Sequence, residues 1–167
     1  MGAPLADEVD AIVAAWHRER ADLDVEPLQV FSRISRLDTL LEQARGAAFD
    51  EHDLETWEFD VLSALRRVGA PYQLSPGVLV QQTLVTSGTM TNRVDRLERR
   101  GLVRRLPDPR DRRGVLVQLT PSGRALVDAA MADLLEHERE LLARMPARDR
   151  ERLAGALRAL LSAVESG

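Results

Sequence analysis

Apolar residues recur three and four positions apart along most of the chain, a period that predicts a mainly helical protein. Val9, Ile12, Val13 and Trp16 mark an amphipathic helix over roughly 5–20. Pro27 opens a second helix, with Phe31, Ile34, Leu37, Leu41 and Ala44 as its stripe and an expected end near Gly46. A third, "LETWEFDVLSALRRVG", covers about 54–68 and is closed by Gly69 and Pro71.

The pattern then changes. Residues 74–103, "LSPGVLVQQTLVTSGTMTNRVDRLERRGLV", predict a short helix opened by Ser75 and Pro76, a tight turn, and a second helix with Thr86 as N-cap. Met90, Val94 and Leu97 form its narrow apolar stripe and Gly101 ends it, so the pair is a helix-turn-helix candidate. "LVRRL" (102–106) and "VLVQL" (115–119) predict a hairpin with "PDPRDRRG" (107–114) at its tip, a β-wing. Thr120 and Pro121 begin a long helix through Leu126, Val127, Met131, Leu134, Leu135, Leu141 and Leu142. Pro146 breaks it, and a last helix carries Leu153, Leu157, Leu160, Leu161 and Val164 on one face.

A chain of 167 residues is too small to cover so many stripes alone, which predicts that both ends are dimerisation surface. The expected fold is mainly α with a small β-hairpin wing: a winged helix-turn-helix region over 54–120, between N-terminal helices (1–53) that dimerise and wall a ligand pocket and C-terminal dimerisation helices (121–167).

Composition narrows the function. The start of the chain lacks a basic signal-like region, Gly2 lacks the Ser or Thr of a myristoylation signal, and no stretch approaches the roughly 18 apolar residues of a membrane span, so a soluble, cytoplasmic protein without membrane partner is expected. With no cysteine, disulfides and thiol switches are excluded. All 23 basic residues are arginine, and they are unevenly placed: residues 1–60 hold 15 acids against 5 arginines, whereas 93–113 hold 9 arginines against 4 acids. An acidic chain with one basic segment suggests that this segment meets a polyanion.

On the helix over 87–100, Gly88, Asn92, Asp95, Arg96 and Arg99 project opposite the apolar stripe, with Ser87, Thr89 and Thr91 around its first turn. Asn and Arg make bidentate contacts to base edges, and Ser and Thr reach bases or phosphates. An arginine at a hairpin tip suits a narrow minor groove; Arg113 is the candidate, oriented by a salt bridge to Asp111, with Arg110 and Arg112 on phosphates. The same residues also fit a solvated helix face and a turn shaped by aspartates. Inside, Asp60 lies beside Trp57, Val61 and Ala64, and Arg93 is its natural partner, with Arg105 just beyond; the group reads either as a buried ion pair fixing the recognition helix or as a site for an anionic ligand.

Catalysis finds no support. The three histidines are scattered, "HEREL" (137–141) lacks the second histidine of a zinc-protease helix, and glycine-rich phosphate loops and nucleophile elbows are missing, so catalytic residues, metals and cofactors are all expected to be none. Single-stranded RNA would want aromatic stacking surfaces, and the basic segment has no aromatic residue.

The order of elements, with "SGTMTNRVDRLERRGLVRRLPDPRDRRGVLVQLTPSGR" over 87–124, resembles the MarR family of dimeric winged-helix transcriptional regulators across essentially the whole chain. The resemblance implies that Ser87, Thr89, Asn92 and Arg96 belong to a major-groove helix and that Asp111 and Arg113 are the wing's aspartate and minor-groove arginine. "WEFDVLSALRRVGAPYQLSP" with Asp60, Arg93, Arg105 and Trp16 is similar to the family's urate-responsive branch, implying that these four line a pocket for urate or a similar small anion. Gly77 departs from the larger residue usual after that proline. Together these readings predict a homodimeric repressor that binds a pseudo-palindromic operator in double-stranded DNA and is released by an anionic effector. The alternative is a dimeric winged-helix scaffold for protein interaction that does not bind DNA; loss of the wing arginines would be its mark.

Overall fold

The computed structural model describes residues 6–166, the side chain of Arg112 excepted; Gly2 and the expected helix start at residue 5 lie outside the described residues. The chain forms two compact units, Met1–Ala47 and Ala48–Gly167. In the first, α1 (Glu8–Glu19) is capped by Asp7, whose carboxylate accepts the backbone N–H of Val9 at 2.9 Å and of Asp10 at 3.1 Å. Arg33, on α2 (Leu28–Asp50), donates to Asp7 and Asp10 at 2.8 Å each, over a small core of Val9, Val13 and Val25. Chiefly through its hydrogen bond, that guanidinium holds the Asp7 carboxyl below its ordinary value.

α2 does not stop near Gly46 as its pattern suggests. It continues to Asp50 because Ala48 and Phe49 are buried beyond the glycine, the Phe49 ring stacking on Phe59 at a centroid distance of 4.3 Å. Burial of that ring outweighs the cost of about 1 kcal/mol for a glycine inside a helix.

The second unit continues with α3 (Thr56–Arg67), β1 (Gln73–Leu74), α4 (Pro76–Thr83), α5 (Ser87–Arg99), β2 (Val103–Asp108), β3 (Asp111–Leu119), α6 (Pro121–Ala143) and α7 (Ala147–Glu165). Its core is built on α3, where Phe59, Val61, Leu62, Ala64 and Leu65 meet Leu79 of α4, the Met90, Val94 and Leu97 stripe of α5, Val103 and Val117 of the sheet, and Val127 and Ala130 of α6. The caps fall where the sequence puts them: Ser75, Thr86 and Thr120 each accept a backbone N–H from the first turn of α4, α5 and α6.

The sheet has a third strand that the pattern does not reveal. β1 is only two residues long, pairing Gln73 with Gln118 and Leu74 with Val117, so the antiparallel order is β1-β3-β2. Thr120 lashes α6 to the end of α5 by donating to the Gly101 carbonyl at 2.8 Å. Gly123, in the first turn of α6, lies so close to the chain that a Cβ there would stand 2.0 Å from the Leu102 carbonyl oxygen. By contrast α7 buries no residue, and Leu153, Leu157, Leu161 and Val164 are exposed on it, as are Leu135, Leu141 and Leu142 on α6. No helix among the described residues is long and apolar enough to cross a membrane.

Candidate nucleic-acid interface

α5 has the division that its sequence predicts. Met90, Val94 and Leu97 are at most 1% exposed, while Ser87, Gly88, Thr89, Thr91, Asn92, Arg96 and Arg99 are exposed. Thr89 takes part in capping, its Oγ1 lying 2.9 Å from that of Thr86, and Thr91 donates back to the Ser87 carbonyl at 3.1 Å. Ser87 and Asn92 stand at the open N-terminal half of the helix. Leu84, in the turn before it, is 92% exposed in the left-handed region at φ 53°.

The wing differs from a simple loop. Its strands run almost to the tip, where the turn is only Pro109 and Arg110. The ladder shifts between Pro107, paired with Val115, and Asp108, paired with Asp111, so residues 112–114 bulge from β3. Arg110 thus occupies the tip expected for Arg113, and Arg113 projects exposed from the bulge. Nor does Asp111 pair with the Arg113 guanidinium among the described contacts: its Oδ1 accepts the Arg113 backbone N–H at 2.9 Å, as Asp108 accepts that of Arg110 at 2.9 Å. The aspartates shape the backbone, because a short carboxylate readily reaches the amide two residues on. Gly114 is required, since a Cβ there would lie 2.9 Å from Asp108 Cβ. The Arg112 side chain lies outside the described residues.

Behind α5 is a charged cleft of about 490 Å³ between its C-terminal half and the chain leading into α3. Glu58, 1% exposed, accepts from Arg100 Nη1 at 2.6 Å and from the Glu55 backbone N–H at 3.1 Å, and Arg100 also donates to the Asp53 carbonyl at 2.7 Å. Arg96 is ion-paired with Glu55 and lies over the Trp57 ring at 4.6 Å, while Arg93 lies over the same ring at 5.4 Å. The Trp57 indole donates to Glu55 at 2.5 Å; that bond, with Arg96, holds the Glu55 carboxyl below its ordinary value against the opposing effect of burial.

The four residues of the predicted anion site lie on α1, α3, α5 and β2. Asp60 is half-buried on α3, and Arg93 faces Trp57. Arg105, on β2, is clamped by two acids of α5, Asp95 at 2.6 Å and Glu98 at 2.5 Å. Trp16 is a half-exposed residue of α1 in the N-terminal unit. Glu55, Glu58, Asp53, Glu98 and Arg100 carry no mark in the sequence pattern, and Asp95, expected on the outward face of α5, is paired with Arg105. The contacts of Arg96 with Glu55 and of Arg100 with Glu58 join residues 41 and 42 positions apart and that of Arg100 with Asp53 spans 47, whereas Glu98 and Asp95 lie 7 and 10 positions from Arg105.

A model of the MarR family matches residues 52–114. Over 158 residues the chain is 43% identical to the HTH-type transcriptional regulator PecS of Dickeya dadantii (strain 3937), covering 95% of this chain and 93% of that one. The chain belongs to the MarR family. MarR-family proteins are helix-turn-helix transcriptional regulators, and the winged-helix unit described above is the fold they share. The structure of a mutant MarR from E. coli complexed with operator DNA matches with a TM-score of 0.72 at 27% identity, over 83% of this chain and 99% of that one. Bordetella bronchiseptica BpsR, whose structure concerns regulation of DNA binding by 6-hydroxynicotinic acid, matches with a TM-score of 0.68 at 28% identity, over 78% of this chain and 91% of that one. Such membership places the chain among regulators of transcription, not in an enzyme class.

Proposed function

We infer that this MarR-family regulator is a homodimeric repressor that binds a pseudo-palindromic operator in double-stranded DNA and is released by a small anionic effector. The observation that carries the DNA reading is the exposed hydroxyl, amide and arginine face of α5 beside a wing whose bulge projects Arg113. Ser87, Thr89, Thr91, Asn92, Arg96 and Arg99 supply the major-groove contacts, and Arg110, Arg112 and Arg113, on a backbone shaped by Asp111, supply those to the minor groove and phosphates. Residues 54–120 carry this role. The helices of 1–53 and 121–167 are the dimerisation parts, supported by the exposed leucines of α2, α6 and α7 that a second copy would cover. Two recognition helices related by a two-fold axis would read half-sites about one helical turn apart. A cytoplasmic location follows from that role.

Arg105 supports the effector reading. It bridges β2 to Asp95 and Glu98 of α5, so an anion that engaged this guanidinium would compete with both acids and free the recognition helix to move. Asp60, Arg93 and Arg105 are the proposed contacts, with Trp16 tested separately as a residue of the N-terminal unit. The regulation of BpsR by 6-hydroxynicotinic acid, an aromatic acid, makes urate and similar ring anions the first probes. Calorimetry with urate, then with citrate, should show binding that Asp60→Asn and Arg93→Ala weaken and that lowers affinity for the operator. Binding of neither anion, or binding indifferent to both substitutions, would reduce the group to structural ion pairs. A protein scaffold that does not bind DNA is not favoured, because the wing and helix face keep their arginines.

A further inference from the structure

Arg96 and Arg100, one turn apart on the same edge of α5 and at its C-cap, are held by two acids of very different character. The Arg100 partner, Glu58, has a side chain only 2% exposed and also receives a backbone N–H; that pair is part of the packing. The Arg96 partner, Glu55, is 54% exposed, and the Arg96 side chain itself 48%. An ion pair so open to water contributes little net stability and exchanges readily. Yet Arg96 is the side chain that the DNA reading needs at the major groove, and in the free protein its guanidinium is folded back between Glu55 and the Trp57 ring.

We propose that Glu55 is an internal stand-in for a DNA acceptor: it occupies the Arg96 guanidinium in the free protein and is exchanged for a base edge or phosphate oxygen when α5 enters the groove. This rests on the DNA-binding reading above. Trp57 is the second half of the device. Its indole N–H orients the Glu55 carboxylate at 2.5 Å while its face seats the guanidinium at 4.6 Å, so the parked arginine is held in one place rather than left to search. The regulator therefore binds DNA more weakly than its arginines alone allow, by the cost of breaking that pair.

The test is a double-mutant cycle with Glu55→Gln and Arg96→Ala, read by fluorescence anisotropy on a selected operator at fixed salt. Glu55→Gln should tighten operator binding about two- to fivefold, the range expected for an exposed ion pair. On the Arg96→Ala background the same substitution should have almost no effect. Glu51→Gln, which removes the same charge from the neighbouring turn, measures the general electrostatic gain, and Glu55→Gln must exceed it. Equal gains from the two Gln variants, or an additive cycle, would overturn the proposal. Failure of the wild-type protein to bind any duplex would instead overturn the DNA reading on which it rests. In the free protein, the Trp57 indole N–H proton, assigned by Trp57→Phe, should shift in Glu55→Gln and in the same direction when operator is added to wild type. An indole signal unmoved by operator would show Glu55 still in place and would also refute the exchange.

Discussion

Removing Arg100 should destabilise the winged-helix unit through Glu58. The Glu58 carboxylate is 1% exposed and has two donors, Arg100 Nη1 at 2.6 Å and the Glu55 backbone N–H at 3.1 Å. Arg100→Ala leaves a buried negative charge with a single neutral donor, a change that costs about 3–5 kcal/mol where no water can follow. Here the Arg100 side chain is 32% exposed, so its vacated space opens toward solvent, and the expected cost is nearer ~2–3 kcal/mol. Glu58→Gln keeps the shape and an acceptor for Arg100, so it should cost only about 1 kcal/mol. Urea unfolding followed by circular dichroism, at one fixed protein concentration, would measure both. For a chain of this length the larger loss corresponds to a fall in Tm of roughly 4–12 °C. An Arg100→Ala loss below about 1 kcal/mol, or a Glu58→Gln loss equal to it, would refute the view that the buried charge needs its cation.

Three further outcomes follow from particular contacts. Gly123→Ala should prevent α6 from seating on the Leu102 carbonyl, because the 2.0 Å approach leaves no room for a methyl; soluble yield and thermal unfolding like wild type would contradict it. Leu84→Gly should raise the urea midpoint by an amount equivalent to about 1 kcal/mol, since the leucine is held at φ 53° with its side chain almost wholly in water; an unchanged or lower midpoint would contradict this. The Asp7 carboxyl is held below its ordinary value of 3.8 by Arg33, so its contribution to α1 is complete above that value and is lost as pH falls through the lower folded value. Protection of the Val9 and Asp10 amides, taken as exchange relative to the intrinsic rate at each pH, should therefore fall on strong acidification in wild type, whereas Arg33→Ala should lose it at higher pH; identical profiles would remove Arg33 as the cause.

Most of the architecture could be read from the chain because it rests on local signals. Ser75, Thr86 and Thr120 announce their helices through a hydroxyl that satisfies an orphan N–H, and Met90, Val94 and Leu97 announce a buried face through spacing. The signals failed where packing at a distance decides the outcome. Gly46 looks like a stop until Phe49 finds Phe59, and two residues of β1 are too few for a period until β3 lies beside them. At the site, the identity of the exposed α5 residues was legible and their partners were not. Arg96 reads as a free recognition residue, but Glu55 is 41 positions away and holds it. Likewise, Asp111 and Arg113 looked like an ion pair, whereas the bulge turns their contact into a carboxylate accepting a backbone amide.

Whether α5 and the bulged wing read double-stranded DNA is decided by selecting duplexes from random sequence and titrating the best of them across salt concentrations with wild type, Arg113→Ala and Asn92→Ala. Wild type should select a two-fold-symmetric site and bind it with a steep salt dependence, with a slope reduced by about 1 in Arg113→Ala and relaxed sequence preference in Asn92→Ala. Enrichment of no duplex, or a wild-type slope and preference that both variants share, would contradict it.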